Sequence, residues 1–186
     1  MTAPSVDTTA SFSIAAWVKL SDTEGNDTVV SQDGRHVARF QLQFRGEVQT
    51  GDGVADPSWC LVAQAADRPR TTSRAACALN AAEADRWTHV AGVYDAAAEK
   101  LLVYVDGVLR AESAAPKAWR AKGPVRVGAR RLSVTSVSDY LAGSVADVRV
   151  YDRTLIPEDF VGSLDGVEPG LLAPIEVGRG NFEAAV

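Results

Sequence analysis

Two histidines, two cysteines and a single methionine are all that 186 residues contain of those types, and each shortage removes a class of chemistry. With only His36 and His89, no three-histidine metal site exists. Two cysteines leave room for one bridge and for no cysteine-rich zinc cage. No apolar run approaches the roughly 20 residues of a membrane-spanning helix, so no membrane span is expected. The 19 Lys and Arg lie scattered along the chain, outnumbered by 24 Asp and Glu for a formal net charge of −5. That charge repels a phosphate backbone, and nucleic acid is not an expected partner. Nucleophile elbows, zinc-type spacings and phosphate-cradling loops are missing as well. Gly51-Asp52-Gly53 is followed by Val-Ala-Asp-Pro and not by a helix.

What the chain has is alternation with period two. In Phe12-Ser13-Ile14-Ala15-Ala16-Trp17-Val18-Lys19-Leu20, the residues Phe12, Ile14, Ala16, Val18 and Leu20 share one face, as in a strand with its core face filled. Arg39 to Arg45 repeats the pattern with Phe40, Leu42 and Phe44 inward and Arg39, Gln41, Gln43 and Arg45 outward, which predicts a half-exposed antiparallel sheet. Further strands are predicted over 59–66, 72–79, 87–94, 101–105, 108–111, 125–128 and 141–151. Asp106-Gly107 between two apolar runs predicts a two-residue hairpin, because both residues accept positive φ. Helical signal is confined to 157–164, where Pro157 suits a first helical position and Glu158 and Asp159 suit a helix start. Many short strands with one short helical turn predict an all-β, two-sheet antiparallel β-sandwich over 1–164, and the Pro- and Gly-spaced text of 165–186 predicts an extended tail or linker.

Register arithmetic pairs the cysteines. A hairpin centred between Arg68 and Pro69 opposes residues whose numbers sum to 137, and Cys60 and Cys77 do so. Directly opposed antiparallel residues have Cβ atoms about 4.5 to 5.5 Å apart, near the distance that a disulfide needs. A disulfide implies an oxidising compartment. Met1 is followed by no apolar signal stretch, so the expectation is an extracellular domain cut from a larger secreted precursor.

Three segments, Ser11 to Lys19, Trp87 to Asp95 with Leu101 to Gly107, and Leu141 to Leu155, resemble in order the laminin-G-like family of concanavalin-type jelly rolls found in secreted actinomycete-type multidomain proteins. The resemblance implies a jelly-roll sandwich, carbohydrate or protein ligands, and in many members a calcium ion. Two departures stand out. Ala146-Asp147 occupies a position where the family usually carries an Asp pair, and the family's first strand has no counterpart before the Phe12 strand. That vacancy predicts an open edge beside 141–151, filled by the tail segment Leu171 to Val177 or by a strand-adding chain or neighbouring domain.

Glucanases on this fold set two Glu and an Asp on alternate positions of one strand, and no strand here does. Glu83-Ala84-Asp85 is the nearest text and sits at a turn, so no catalytic residue is assigned. His89, amid Trp87, Ala91 and Val93, reads as a sheet histidine. For calcium the candidate ligands are Asp22, Asn26 and Asp27 in one loop and Asp52 in another. For a glycan the candidates are Trp59, Trp119 and Tyr140, which flank loops where a ring can stack on a sugar, although Trp119 also fits a loop anchor. The expected function is non-catalytic carbohydrate recognition through loops at one edge of the sandwich. A protein-interaction or assembly domain is the alternative, and a degenerate glycoside hydrolase the third.

Overall fold

The computed structural model describes residues 5–55, 57–160 and 175–177. Its strands run in chain order as β1 (Phe12–Leu20), β2 (Asn26–Asp33), β3 (Ala38–Arg45), β4 (Val48–Thr50), β5 (Gly53–Ala55), β6 (Ser58–Gln64), β7 (Ser73–Ala78), β8 (Trp87–Asp95) and β9 (Lys100–Val105). They continue as β10 (Val108–Ala114), β11 (Val125–Val127), β12 (Arg130–Arg131), β13 (Val137–Ser138), β14 (Gly143–Tyr151) and β15 (Ile175–Val177). A six-stranded sheet ordered β10-β9-β8-β1-β14-β15 faces a five-stranded sheet ordered β11-β2-β3-β6-β7, with hairpins β4-β5 and β12-β13 added.

The inward sides of both sheets supply the core. Phe12, Ile14, Ala16, Val18 and Leu20 from β1 meet Phe40, Leu42 and Phe44 from β3 and Trp59, Leu61 and Ala63 from β6. The Phe12 and Phe40 rings lie 4.7 Å apart, and Trp59 meets Phe44 edge-on at 5.9 Å. Gly92 lets the sheets close: a Cβ there would stand 2.9 Å from Leu61 Cδ1. Asp106 and Gly107 both take positive φ and turn β9 into β10, as their composition predicts.

Three expectations need correction. β2 was not foreseen, because Asn-Asp-Thr-Val-Val-Ser-Gln-Asp carries no apolar alternation. It is nonetheless paired on both edges, and most of its polar side chains are answered, Thr28 Oγ1 and Asp33 Oδ1 excepted. Ser31 Oγ donates to Ala129 O, Gln32 Nε2 donates to Val6 O, and Asp33 takes Arg126 at 2.7 Å. Second, Arg39, Gln41 and Gln43 do not face solvent; they are 0%, 2% and 3% exposed. The register shifts by one residue opposite Gln32 and Asp33, which turns Arg39 inward against Tyr94, while β12 packs over β2 and β3. Third, the helical segment is one 3₁₀ turn, Pro157–Phe160, with residues 161–164 outside the described set. It seats Leu155 and Phe160 on the outer side of the six-stranded sheet against Ala15, Ala91 and Tyr104.

At the edge beside β14, Ile175–Val177 pairs antiparallel with Gly143 to Val145. Leu171 to Pro174 lie outside the described residues. Deleting residues 166–186 should lower stability by about 1–3 kcal/mol, the net worth of a few strand hydrogen bonds, which lowers the melting temperature by about 2–4 °C per kcal/mol. A truncated chain melting with the full one would show that the pairing contributes nothing.

Cys60 and Cys77 are bridged across β6 and β7 at a sequence separation of 17. Native protein should therefore titrate no free thiol, and reduction should cost about 3 kcal/mol in denaturant unfolding, by closure of a short loop.

Candidate functional site

The loops that leave one end of the sandwich converge on a rim. The β1-β2 connection is held to the β3-β4 turn by Gly46 N donating to Gly25 O at 2.7 Å. The β13-β14 connection is tied to β2 by Thr28 N donating to Asp139 O at 2.8 Å and to β1 by Ser21 N donating to Ala142 O at 2.9 Å. Gly143 marks the point where that connection enters the sheet: φ is +154°, and a Cβ would stand 2.2 Å from Lys19 O, so only glycine fits.

Two adjoining depressions open on this rim. The larger holds about 650 Å³ and is lined by Thr23, Glu24, Gly25, Asn26, Gly46, Glu47, Gln49 and Pro57. A smaller one of about 280 Å³ shares Gly25 and Asn26 and adds Asp27, Asp139 and Tyr140. Tyr140 is half-buried and lines the smaller opening. Asp139 receives Arg130 Nε at 2.5 Å, next to Arg45. Burial lowers the Arg45 pKa, Arg130 lowers it further, and Asp139 opposes them. The remaining carboxylates of the lining, Glu24, Glu47 and the buried Asp27, make the rim acidic.

The predicted site residues are thus partly gathered. Asn26, Asp27 and Tyr140 line one depression, and Asp22 caps the adjoining loop by accepting Glu24 N at 3.0 Å. Asp52 lies apart in the exposed turn between β4 and β5. Asp27 is 2% exposed, and its Oδ2 accepts Ala142 N at 2.8 Å. Among the described residues no three His, Cys, Asp or Glu side chains come together as metal ligands. Trp59 is a correction: at 0% exposure it is a core ring and offers no face to a sugar. Trp119 lies at the opposite end of the sandwich, where Nε1 donates to Gln64 O at 2.8 Å and the backbone carbonyl accepts Thr8 Oγ1. It is a loop anchor.

Glu47, Gln49 and Asp139 went unnoticed in the sequence. Gly51-Asp52 is a two-residue turn signal, and it would have placed β4 and β5, with Glu47 and Gln49, beside the rim. His89 lies mid-sheet with Nδ1 unpartnered, and burial lowers its pKa against the opposing pull of Asp106 and Asp147. Glu83 faces Arg86 at 3.8 Å across its turn.

A twisted two-sheet jelly roll with its ligand-sized openings in loops at the rim defines a lectin-type sandwich. The chain belongs to the Concanavalin A-like lectin/glucanases superfamily, whose sequence profile matches residues 1–159. No curated protein sequence matches it. Among solved structures it is similar to the native heptameric SAP-like pentraxin from Limulus polyphemus, with a TM-score of 0.63, 15% identity, and coverage of 83% of this chain and 70% of that one. It is equally similar to the CBM40 of the Ruminococcus gnavus IT-sialidase bound to α2,3 sialyllactose, at 0.63, 14% identity, and 84% of each chain. The binding domain of botulinum neurotoxin serotype D follows at 0.56 and 14% identity, covering 84% of this chain and 37% of that one. At these identities the likeness establishes the fold.

Asp67 fixes the turn beside Trp119. Partial burial opposes its charge, but N–H groups of Arg35, His36 and Val37 donate to it at 2.7, 2.7 and 3.2 Å and hold its pKa below 3.8. A depressed folded pKa gives stability that is present above about pH 4 and lost as pH falls through the folded value. Asp67→Asn should therefore lower stability at neutral pH and flatten its decline below about pH 4, read from urea midpoints across that range. An unchanged acid limb would contradict this.

Proposed function

We propose that the domain is a non-catalytic module that binds neutral, hydroxyl-rich carbohydrate at the rim of Tyr140. The observation that carries this reading is the juxtaposition of one half-buried aromatic ring with Asn26, Gln49, Glu24, Glu47 and Asp139 around adjoining depressions. A ring face stacks on the apolar face of a sugar, while amide and carboxylate groups take its hydroxyls. The carboxylates also set specificity. An acidic rim disfavours a sialylated or otherwise anionic sugar, so this site differs in kind from one that takes sialyllactose. The disulfide suits an oxidising, extracellular setting.

Glycan-array binding of the purified chain should favour neutral over sialylated structures, and Tyr140→Ala should weaken the best of them by about tenfold or more, the usual worth of a stacked aromatic. Loss of no affinity for neutral glycans on that substitution, or a preference for sialylated glycans that Tyr140→Ala abolishes, would reject the site. Calcium held by the loop of Asp22, Asn26 and Asp27 would raise the melting temperature, which a comparison of EDTA with millimolar calcium reads.

A second reading, strand addition by another chain, rests on the β14 edge. β15 covers Gly143 to Val145 alone, and among the described residues Ala146 to Tyr151 have no strand partner on that side.

A further inference from the structure

The end of the sandwich opposite the Tyr140 rim is basic, although the chain as a whole carries a net −5. Here the β2-β3 turn, the β6-β7 turn and the segment after β10 converge: Asp67 clamps the first to the second, and Trp119 Nε1 binds the third to Gln64 O. Arg35, Arg68, Arg70, Arg74 and Lys117 are exposed on these segments, and among the described residues none of them has an ion-pair partner. The local carboxylates are mostly committed. Asp67 is taken by three backbone N–H groups, Asp95 by the N–H groups of Ala97 and Ala98, and Asp7 by Arg120, while Glu99 lines one depression.

Two depressions flank Ala115-Pro116-Lys117. One, of about 510 Å³, is lined by Thr72, Ser73, Arg74 and Lys117, and the other, of about 430 Å³, by Thr9, Tyr94, Glu99 and Lys117. Behind them sits Arg39, fully buried, its Cζ 5.4 Å from the Tyr94 ring and 5.9 Å from the Trp119 ring. Nη1 donates to Gln64 O, while Nε and Nη2 have no partner and no carboxylate neutralises the guanidinium. A buried cation left uncompensated is costly to a fold, and its field reaches the neighbouring surface through poorly screening protein.

We propose that this end is a second binding site, for an acidic polysaccharide carrying carboxylate or sulfate groups along its chain. Arg74 and Lys117 receive the anionic groups, and the hydroxyls of Thr9, Thr72 and Ser73 meet sugar hydroxyls between them. A nucleic acid fits less well. Tyr94 is buried and Trp119 is half-buried with Nε1 committed to Gln64 O, so only one partly covered ring is at hand for bases to stack on.

The test is a binding titration of the full chain with polygalacturonate, dextran sulfate, neutral dextran and duplex DNA at two salt concentrations. Both acidic polysaccharides should bind, more weakly at high salt, and neutral dextran should not compete at this end. Arg74→Ala with Lys117→Ala should weaken polyanion binding by about tenfold or more while leaving neutral-glycan binding at the Tyr140 rim unchanged, since both side chains are exposed and remote from it. Failure of either acidic polysaccharide to bind, binding unaffected by the double substitution, or duplex DNA bound as tightly as the polysaccharides would overturn the proposal. None of these outcomes depends on whether the rim binds sugar.

Discussion

A sheet buried on both faces has to answer its polar groups inside the protein, and that constraint governs this molecule. The five-stranded sheet packs its inner face on the core, while β12 and the segment leading into it lie across β2 and β3 on the outer face. Polar side chains at Thr28, Ser31, Gln41 and Gln43 are consequently withdrawn from water. Each needs a partner, because an unanswered buried polar atom costs about 1–3 kcal/mol. Rim and neighbouring connections supply several: Ala129 O for Ser31, Ala142 N for Asp27, and the Asp139 carbonyl for the Thr28 backbone N–H, while Thr28 Oγ1 and Gln41 Nε2 have no hydrogen-bond partner among the described residues. The rim is therefore placed by the same hydrogen bonds that satisfy the sheet.

This dependence explains which parts of the fold were legible in the sequence. Strands with a simple inside and outside, such as β1, β8 and the β9-β10 hairpin, showed their register in alternation, and Cys60 and Cys77 could be paired by arithmetic because β6 and β7 keep an unbroken ladder. β2 was illegible for the converse reason. Its polar residues look like a surface loop until the covering segment some 100 residues later is known, and no local pattern carries that information. The inward turn of Arg39 has the same origin, since a one-residue register shift moves side chains between faces without leaving a mark in composition.

The site was legible in proportion to how local its signals are. Tyr140 and the Asp22 to Asp27 loop were found separately, by aromatic type and by density of oxygen ligands, and only the topology brings them to one rim. Trp59 looked like a loop-edge ring because it lies one residue inside β6, yet the phase of that strand sends odd-numbered side chains inward, and Phe44 and Trp59 fill the same layer. Acidic density marks the Asp22 to Asp27 loop, where one oxygen each of Asp22 and Asp27 accepts a backbone N–H group of the rim.

Charge shows how topology rearranges what a sequence scatters. Arg35, Arg74 and Lys117 are far apart along the chain, yet antiparallel connectivity sends alternate turns to the same end, so these three meet on one set of turns while Glu24, Glu47 and the Arg130-paired Asp139 meet on the other. The eight residues of β3 separate the two ends by about 25 Å at the usual strand rise. Screening in water at physiological salt acts over about 8 Å, so neither end cancels the field of the other. A single net charge consequently describes neither surface, and a neutral sugar and a polyanion can be held by one small sandwich without competing for the same groups.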